Sequence, residues 1–209
     1  MRARISPVRL GTGLPRAFFD RPCLEVAPEL IGAYVVRRLD DGTALIGRIV
    51  EVEAYLGDGS DPGSHSHRGP TPRNRTMFGP PGRLYVYRSY GIHTCANVVC
   101  EPEGRGAAVL LRAAEPVRGV ARMRARRDLA AARDREIANG PGKLAQALGL
   151  RMDDDGRSLL RGPVRLRRAP ATAQRLEVAC SRRIGLTKGA ELPYRFFAAG
   201  SPYLSRRRV

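Results

Sequence analysis

The chain has 209 residues, a formal net charge of +17 and a pI of about 11.1. This length suits one domain with its own core, and no stretch approaches the roughly 20 apolar residues of a membrane-spanning helix. The charge favours a polyanionic partner, although only Lys143 and Lys188 are lysines among 37 basic residues, and genome composition can also produce such an arginine bias.

The N-terminal half is predicted to begin with a loose basic arm, residues 1–18, followed by a single domain, residues 19–209. Asp20 before Pro22 predicts a helix start, with the helix running to Ile31 and closed by Gly32. Strands are predicted at residues 34–39 and 44–55, joined by an Asp-Gly turn. Residues 57–83 are rich in glycine, proline and serine and predict a long irregular loop.

The C-terminal half continues with a second hairpin, residues 84–89 and 92–99, and a buried strand at residues 107–113. A helix is predicted at residues 115–127, and another opens at residues 139–143 and ends near Leu148. Residues 151–168 read as a charged loop, and short strands are expected around residues 182–186 and 194–199. The four cysteines form no CxxC pair, which predicts buried, reduced thiols in a cytoplasmic protein.

The strand at residues 44–55 carries two carboxylates among apolar residues. Alternation predicts an apolar face of Val50, Val52 and Ala54, with Glu51, Glu53 and Tyr55 on the opposite face. Either glutamate could act as a general base, and the pattern does not choose between them. A surface ion pair with one of the many arginines is the ordinary alternative for a single glutamate.

The second hairpin concentrates tyrosines. Tyr85 and Tyr87 share a face, and Tyr90 lies at the Tyr-Gly turn. A tyrosine at a hairpin tip either inserts into a partner, as wedges do between DNA bases, or folds back onto the core. Tyrosines beside strand-borne carboxylates in a basic protein suggest an enzyme acting on an aromatic group of a polyanion, such as a nucleic-acid base.

Other candidate features are weaker. His65 and His67 lie near Asp61, but this set is too small and too loosely spaced to indicate a metal site, and no metal or cofactor is expected. His93 is predicted to be structural. The glycines at residues 139–143 could bind a phosphate through free backbone N–H groups or could simply cap a helix. Neither lysine is close in sequence to the carboxylates, which favours a reaction that uses water over one that forms a Schiff base.

Seven ordered motifs resemble the alkyladenine (3-methyladenine) DNA glycosylase family, in its bacterial form. They are residues 48–57 (RIVEVEAYLG), 71–78 (TPRNRTMF), 81–87 (PGRLYVY), 90–99 (YGIHTCANVV), 109–116 (VLLRAAEP), 139–144 (NGPGKL) and 200–202 (GSP). The resemblance covers roughly residues 19–205. It implies a single mixed α/β (α+β) domain with a curved, largely antiparallel, open-barrel-like sheet flanked by helices, and no cofactor.

The resemblance also implies site residues. Glu53 would activate water, helped by Arg112. The flipped base would lie between Tyr55 on one side and His65 with Tyr87 on the other. The remaining implied contacts are Asn97 at the purine edge, Tyr90 in the gap left in the duplex, and Thr71, Arg73, Gly142 and Lys143 along the DNA backbone.

The implied function is a monofunctional glycosylase that initiates base excision repair. It would flip 3-methyladenine or 7-methylguanine out of double-stranded DNA and release the base by water attack at C1′. A wider substrate range would include deaminated or etheno purines. A monomer in the cytoplasm, at the bacterial nucleoid, is expected. Two departures stand out: the segment before His65 is one residue longer than usual, and Ile92 replaces a common methionine beside Tyr90.

Two other classes of function remain open on the residues alone. A non-catalytic nucleic-acid-binding module would use only the arginines and Tyr90. A metallohydrolase would use the histidines with Asp61.

Overall fold

The computed structural model describes residues 9–130 and 133–205, which form one curled, antiparallel half-barrel with helices packed against it. The helices are α1 (Arg16–Phe19), α2 (Cys23–Leu30), α3 (Val120–Arg126) and α4 (Pro141–Leu148). The strands are β1 (Tyr34–Arg38), β2 (Ala44–Tyr55), β3 (Leu84–Ser89), β4 (His93–Cys100), β5 (Ala107–Arg118), β6 (Val164–Arg167), β7 (Val178–Ser181) and β8 (Arg195–Ala198). The predicted fold class is confirmed.

The long strand β2 organises the sheet. The order is β3-β4-β5-β2-β1-β6, and β8 joins β2 to β7. One edge of β2 pairs with β5, whereas the other edge pairs first with β1 and then, at residues 51–53, with β8. Every observed pairing is antiparallel. The C-terminal strands therefore reach the part of β2 that carries the two glutamates.

A bulge in β2 changes the predicted alternation. The register with β5 shifts between Ile49 and Glu51 and again before Val52. A bulge leaves an extra residue unpaired and turns its side chain. Val50 consequently packs with Phe197 in a separate cluster, whereas Val52 and Ala54 enter the main core, so the shared face predicted for these three residues is wrong.

The main core lies between the sheet and the helices. Buried residues of α2 and α4 meet apolar residues of β2, β4 and β5, including Leu30, Leu144, Val52, Val98 and Leu111. The helix α2 accommodates Pro28, but it begins after Pro22, whose backbone is not helical, and ends before the extended Ile31. The predicted start at Asp20 is therefore wrong. Gly32 follows with φ +86°, as a closing glycine should.

Three other predictions in the C-terminal half are corrected. β5 continues to Arg118 because it pairs along β2, so the helix predicted at residues 115–127 begins only at Val120, after the left-handed Gly119. The charged stretch at residues 151–168 contains β6, in which Val164 and Leu166 are buried while the intervening Arg165 is exposed. The strand expected around residues 182–186 lies earlier, at β7.

Other predictions agree with the structure. Both hairpins are present, and the second turns at Tyr90 and Gly91 with positive φ angles of 50° and 72°. Residues 57–83 are irregular apart from a 3₁₀ turn at Arg75–Phe78. None of the described helices is long and apolar enough to cross a membrane.

The described part of the predicted N-terminal arm packs against the domain. Gly13 bridges to Arg167 of β6, and Leu14 and Phe18 are buried. Residues 1–8 lie outside the described residues. The four cysteines are free, but Cys180 is exposed, contrary to the expectation that all four are buried.

We predict that Leu111→Ala lowers the free energy of unfolding by about 2–5 kcal/mol, because it leaves a cavity at a fully buried position of β5. Urea denaturation measures the change. Met152→Ala, at a residue that is 40% exposed, serves as the control and should shift stability by no more than about 0.5 kcal/mol. Equal losses in both variants would contradict the assigned core.

Candidate active site

A cleft of about 710 Å³ gathers most of the predicted site residues. Its lining includes Tyr55, His65, Arg73, Tyr87, Tyr90, Arg112, Gly142 and Lys143. A side pocket of about 50 Å³ shares three of these residues and adds Asn97 and Tyr85. Thr71 instead lines a neighbouring groove together with His65 and Arg73. Glu53 is fully buried behind the cleft lining.

One wall of the cleft is a cluster of aromatic rings. Tyr85 and Tyr87 share a strand face, as predicted, and their rings stack with centroids 5.4 Å apart. His65 meets Tyr87 edge-on at 4.5 Å, and its Nδ1 lies 3.0 Å from the hydroxyl oxygen of Tyr85. The residue as a whole is exposed, but its ring is partly buried among the tyrosines. This burial, and to a lesser extent the charge of Arg73, lowers the pKa of His65, so the ring is neutral at pH 7.

Tyr55 faces this wall from the end of β2. Its hydroxyl donates a 2.9 Å hydrogen bond to Oε2 of Glu53. Burial, reinforced by Glu53, raises the pKa of Tyr55 well above its ordinary value, so the side chain remains a phenol. The strand period thus places a neutral aromatic ring and a carboxylate side by side, as the sequence predicted.

Glu53 accepts three hydrogen bonds from described residues. Besides Tyr55, Nη1 of Arg112 donates to Oε2 at 3.1 Å, and the backbone N–H of Ile184 donates to Oε1 at 2.7 Å. A carboxylate offers about four acceptor positions. One position, on Oε1, therefore remains for another donor.

Glu51 lies in a different environment although it shares the strand face. Oε1 accepts from Nε of Arg112, Nε of Arg195 and the hydroxyl of Ser205, and Oε2 accepts from the backbone N–H of Ser205. Three of these donors thus share Oε1, and one binds Oε2. Glu51 is paired with two arginines, whereas the described residues give Glu53 one ion pair, with Arg112. Burial alone would raise the pKa of Glu51, but the arginines and Ser205 outweigh it and lower the pKa.

Arg112 links the two carboxylates. Its guanidinium lies 3.1 Å from each, and the residue is only 6% exposed. Burial would lower the pKa of Arg112, but Glu53 and Glu51 raise it above the ordinary value, so it remains a cation. The predicted neighbours Glu53 and Arg112 are in direct contact.

Tyr90 projects from the hairpin tip. It is 83% exposed, and neighbouring Ile92 is 69% exposed. The alternative in which Tyr90 folds back onto the core is therefore wrong. A tyrosine and an isoleucine together on a positive-φ turn form an apolar projection at the mouth of the cleft.

The remaining predicted contacts line the rim or the interior. Asn97 is buried and donates weakly, at 3.4 Å, to the backbone oxygen of Tyr85. Arg73 donates to the backbone oxygen of Arg88, and Nζ of Lys143 donates to Asn139. The hydroxyl of Thr71 donates to Asn74.

Two expectations about histidine and lysine need revision. His93 does not fill a structural role in the core, because it is exposed, lines the cleft and packs against Gly142. Lys143 is distant from the carboxylates in sequence, yet it also lines the cleft. Within residues 9–130 and 133–205, no three His, Cys, Asp or Glu residues are grouped to hold a metal ion, and Asp61 is paired with Arg183.

Sequence reasoning missed the contacts made by the C-terminal segment. Ile184 and Ser205 bind the glutamates through backbone N–H groups, and Arg183 and Arg195 are buried arginines. The partners lie more than 100 residues apart along the chain, so no local pattern marks them. The arginine-rich composition further hides these two buried arginines.

Comparison with known proteins gives a consistent result. A model of the methylpurine-DNA glycosylase family matches residues 17–202. Three relatives carry the name "Putative 3-methyladenine DNA glycosylase". They come from Bradyrhizobium diazoefficiens (52% identical, covering 98% of this chain and 96% of the relative), Methanoculleus marisnigri (52%, 93% and 99%) and Rhodopseudomonas palustris (53%, 94% and 90%).

We predict that the His65 ring titrates below its ordinary pKa of 6.5, because burial disfavours the imidazolium. Its contribution to stability is therefore present above pH 6.5 and is lost as the pH falls through the folded pKa. Proton–nitrogen NMR correlations, assigned with a His65→Gln variant, measure this pKa. A value at or above 6.5 would contradict the environment described, and Arg73→Gln should raise the pKa only partly, because burial is the larger cause.

Proposed function

This chain belongs to the methylpurine-DNA glycosylase family, and we propose on this basis that it excises alkylated purines from double-stranded DNA by a monofunctional, water-using reaction. The observation that supports Glu53 as the base is where its partners lie. All three donors to Glu53 belong to residues that line the cleft, Tyr55, Arg112 and Ile184. Glu51 is instead held by two arginines and Ser205, and Arg195 does not line the cleft. Oε1 of Glu53 accepts one hydrogen bond from the described residues, which leaves an acceptor position for a water O–H.

Glu53 is therefore the general base of the proposal. A water bound at its Oε1 would lose a proton to Glu53 as the oxygen attacks C1′, and the bond from C1′ to the purine nitrogen would break with its electron pair leaving on the base. Arg112 and Tyr55 both bond Oε2, which directs the free position to the other oxygen. Glu51 then serves to hold Arg112 in place.

The aromatic slot explains the choice of an alkylated base. Alkylation at N3 or N7 gives the purine a positive charge, and rings of Tyr55 and Tyr87 attract such a cation by about 0.5–2 kcal/mol per good contact. The same charge makes the base a good leaving group without a strong acid. We extend the proposal from 3-methyladenine to 7-methylguanine, which is also cationic. We extend it further to deaminated and etheno purines, which are neutral and would bind in the same slot.

Asn97 provides selection against normal guanine. It is 4% exposed in the side pocket that Tyr55, His65 and Tyr87 also line. Little free volume remains there, so an exocyclic 2-amino group would meet the Asn97 side chain. Damaged or mispaired bases also leave the duplex more easily, which adds to the selection.

DNA approaches the rim of the cleft in this proposal. Tyr90 would enter the gap left by the flipped nucleotide, and Arg73 and Lys143 supply positive charge beside it. Gly142 and Thr71 would contact the backbone nearby. One protomer carries all of these groups, so a monomer is sufficient.

We predict that Glu53→Gln slows single-turnover excision of 3-methyladenine from a duplex oligonucleotide by about 100-fold or more, because it removes the general base. Binding to the lesion duplex should change little. Glu51→Gln, the matched control, should mainly destabilise the fold, by about 3 kcal/mol, because it leaves buried arginines poorly compensated. Unimpaired excision by Glu53→Gln would exclude Glu53 as the base.

Product analysis in the same assay tests the wider proposal. The expected product is an abasic site in an uncut strand. A strand break, or a borohydride-trapped adduct that disappears in Lys143→Gln, would show a lyase. Binding without release from 3-methyladenine, hypoxanthine or ethenoadenine duplexes would instead favour a non-catalytic binding module.

We predict that Tyr90→Ala weakens lesion binding by about 1–3 kcal/mol, because the variant loses a stacking side chain. Its thermal stability should be unchanged, since the residue is 83% exposed. Val178→Ala truncates another exposed apolar residue, outside the cleft, and should leave binding unaltered. An unchanged excision rate on duplex DNA in Tyr90→Ala would count against the wedge.

A further inference from the structure

Arg183 is a buried cation that joins two separate parts of the candidate site. Its side chain is fully buried, and its guanidinium makes two hydrogen bonds to Asp61, at 2.7 and 2.6 Å. It also donates to the backbone oxygens of Ala54 and Gly189, at 3.0 and 2.8 Å. The last residues of β2 are thereby tied to the irregular loop and to the C-terminal segment.

The same guanidinium lies against Tyr55. Its central carbon is 4.6 Å from the centroid of the Tyr55 ring and 5.6 Å from that of Tyr194. Tyr55 lines the cleft, whereas Arg183 does not. The guanidinium therefore covers the face of Tyr55 that points away from the cleft and leaves the other face open to a ligand.

Arg183 also determines where the next residue lies. The backbone N–H of Ile184 donates to Oε1 of Glu53, the oxygen with a free acceptor position. Because Asp61 and Ala54 anchor the Arg183 side chain, they restrain the neighbouring peptide that carries this N–H. Arg183 thus contacts the Tyr55 ring directly and acts on the Glu53 carboxylate through Ile184, in addition to the bonds by which Arg112 and Tyr55 hold that carboxylate.

Asp61 connects Arg183 to the opposite wall of the cleft. Its carboxylate also accepts from the backbone N–H groups of Leu56 and Gly63, and its backbone oxygen accepts from Ser64. His65, which contacts Tyr85 and Tyr87, is the next residue along the chain. The pair therefore fixes the loop that carries His65 relative to the strand that carries Tyr55.

We propose that Arg183, held by Asp61, is a positioning residue that fixes the Tyr55 wall of the base slot and the free oxygen of Glu53 relative to the His65 wall. The inference rests on the proposed glycosylase function. Arg183 touches neither base nor water. It acts by preorganising the groups that do, and small misplacements of such groups can cost about 100-fold in rate.

A second buried ion pair provides a control for simple loss of stability. Arg37 of β1 lies 2.6 Å from Asp154, with side chains 16% and 3% exposed, and neither residue lines the cleft. Disrupting this pair should destabilise the protein without altering the slot.

The test compares Arg183→Lys and Asp61→Asn with Arg37→Lys and Asp154→Asn, all at a temperature where each is folded. We expect the first two variants to slow single-turnover excision about 100-fold at saturating enzyme, with the half-saturating enzyme concentration changed by less than about threefold. The control variants should lower the melting temperature but keep the excision rate within about threefold. If Arg183→Lys does not fold, Asp61→Asn alone is compared with the two control variants.

A fluorine NMR measurement reports on Tyr55 without requiring excision. In protein labelled with 3-fluorotyrosine, and assigned with Tyr55→Phe, the Tyr55 resonance should shift or broaden in Arg183→Lys and in Asp61→Asn but not in Asp154→Asn. If wild-type protein releases no base, the proposed function fails, yet this signal still decides whether Arg183 positions Tyr55. An unperturbed Tyr55 resonance, or equal slowing of excision by the control pair, would overturn the inference.

Discussion

The buried charge cluster on β2 is the constraint on which the rest of the site depends. Two carboxylates with no exposed surface lie on one strand, and ions are costly to bury unless they are paired and hydrogen-bonded. Arg112 bridges both, so β5 must lie beside β2 in the observed register. The C-terminal segment must also return to this strand, because it supplies Arg195 and Ser205.

The different partners of the two carboxylates distinguish an anchor from the proposed base. Glu51, paired with Arg112 and Arg195, holds Arg112 in place, whereas the residues that donate to Glu53 line the cleft. The same strand period places Tyr55 beside Glu53, so the proposed base and one wall of the slot share a rigid element. A site built on a strand is held more exactly than one on a loop.

The opposite wall depends on an irregular segment that has little regular structure of its own. Residues 57–83 contain one 3₁₀ turn, yet His65 is held by Tyr85 and the segment is anchored through Asp61. Arg183 connects that anchor to Tyr55. The two walls are therefore joined by a buried ion pair.

The sequence by itself determined the local features: β2 and both hairpins from period-two patterns and turn residues, the alignment of Glu53 with Tyr55, the shared face of Tyr85 and Tyr87, and the family. It missed β6 and misplaced the end of β5, because charged residues on a strand resemble a loop or a helix until a partner strand is known. The residue pattern could not separate Glu51 from Glu53, a choice that only the family resemblance made, and it did not select Arg183. Those distinctions depend on donors contributed from distant parts of the chain, and only the tertiary structure decides which donors meet which carboxylate.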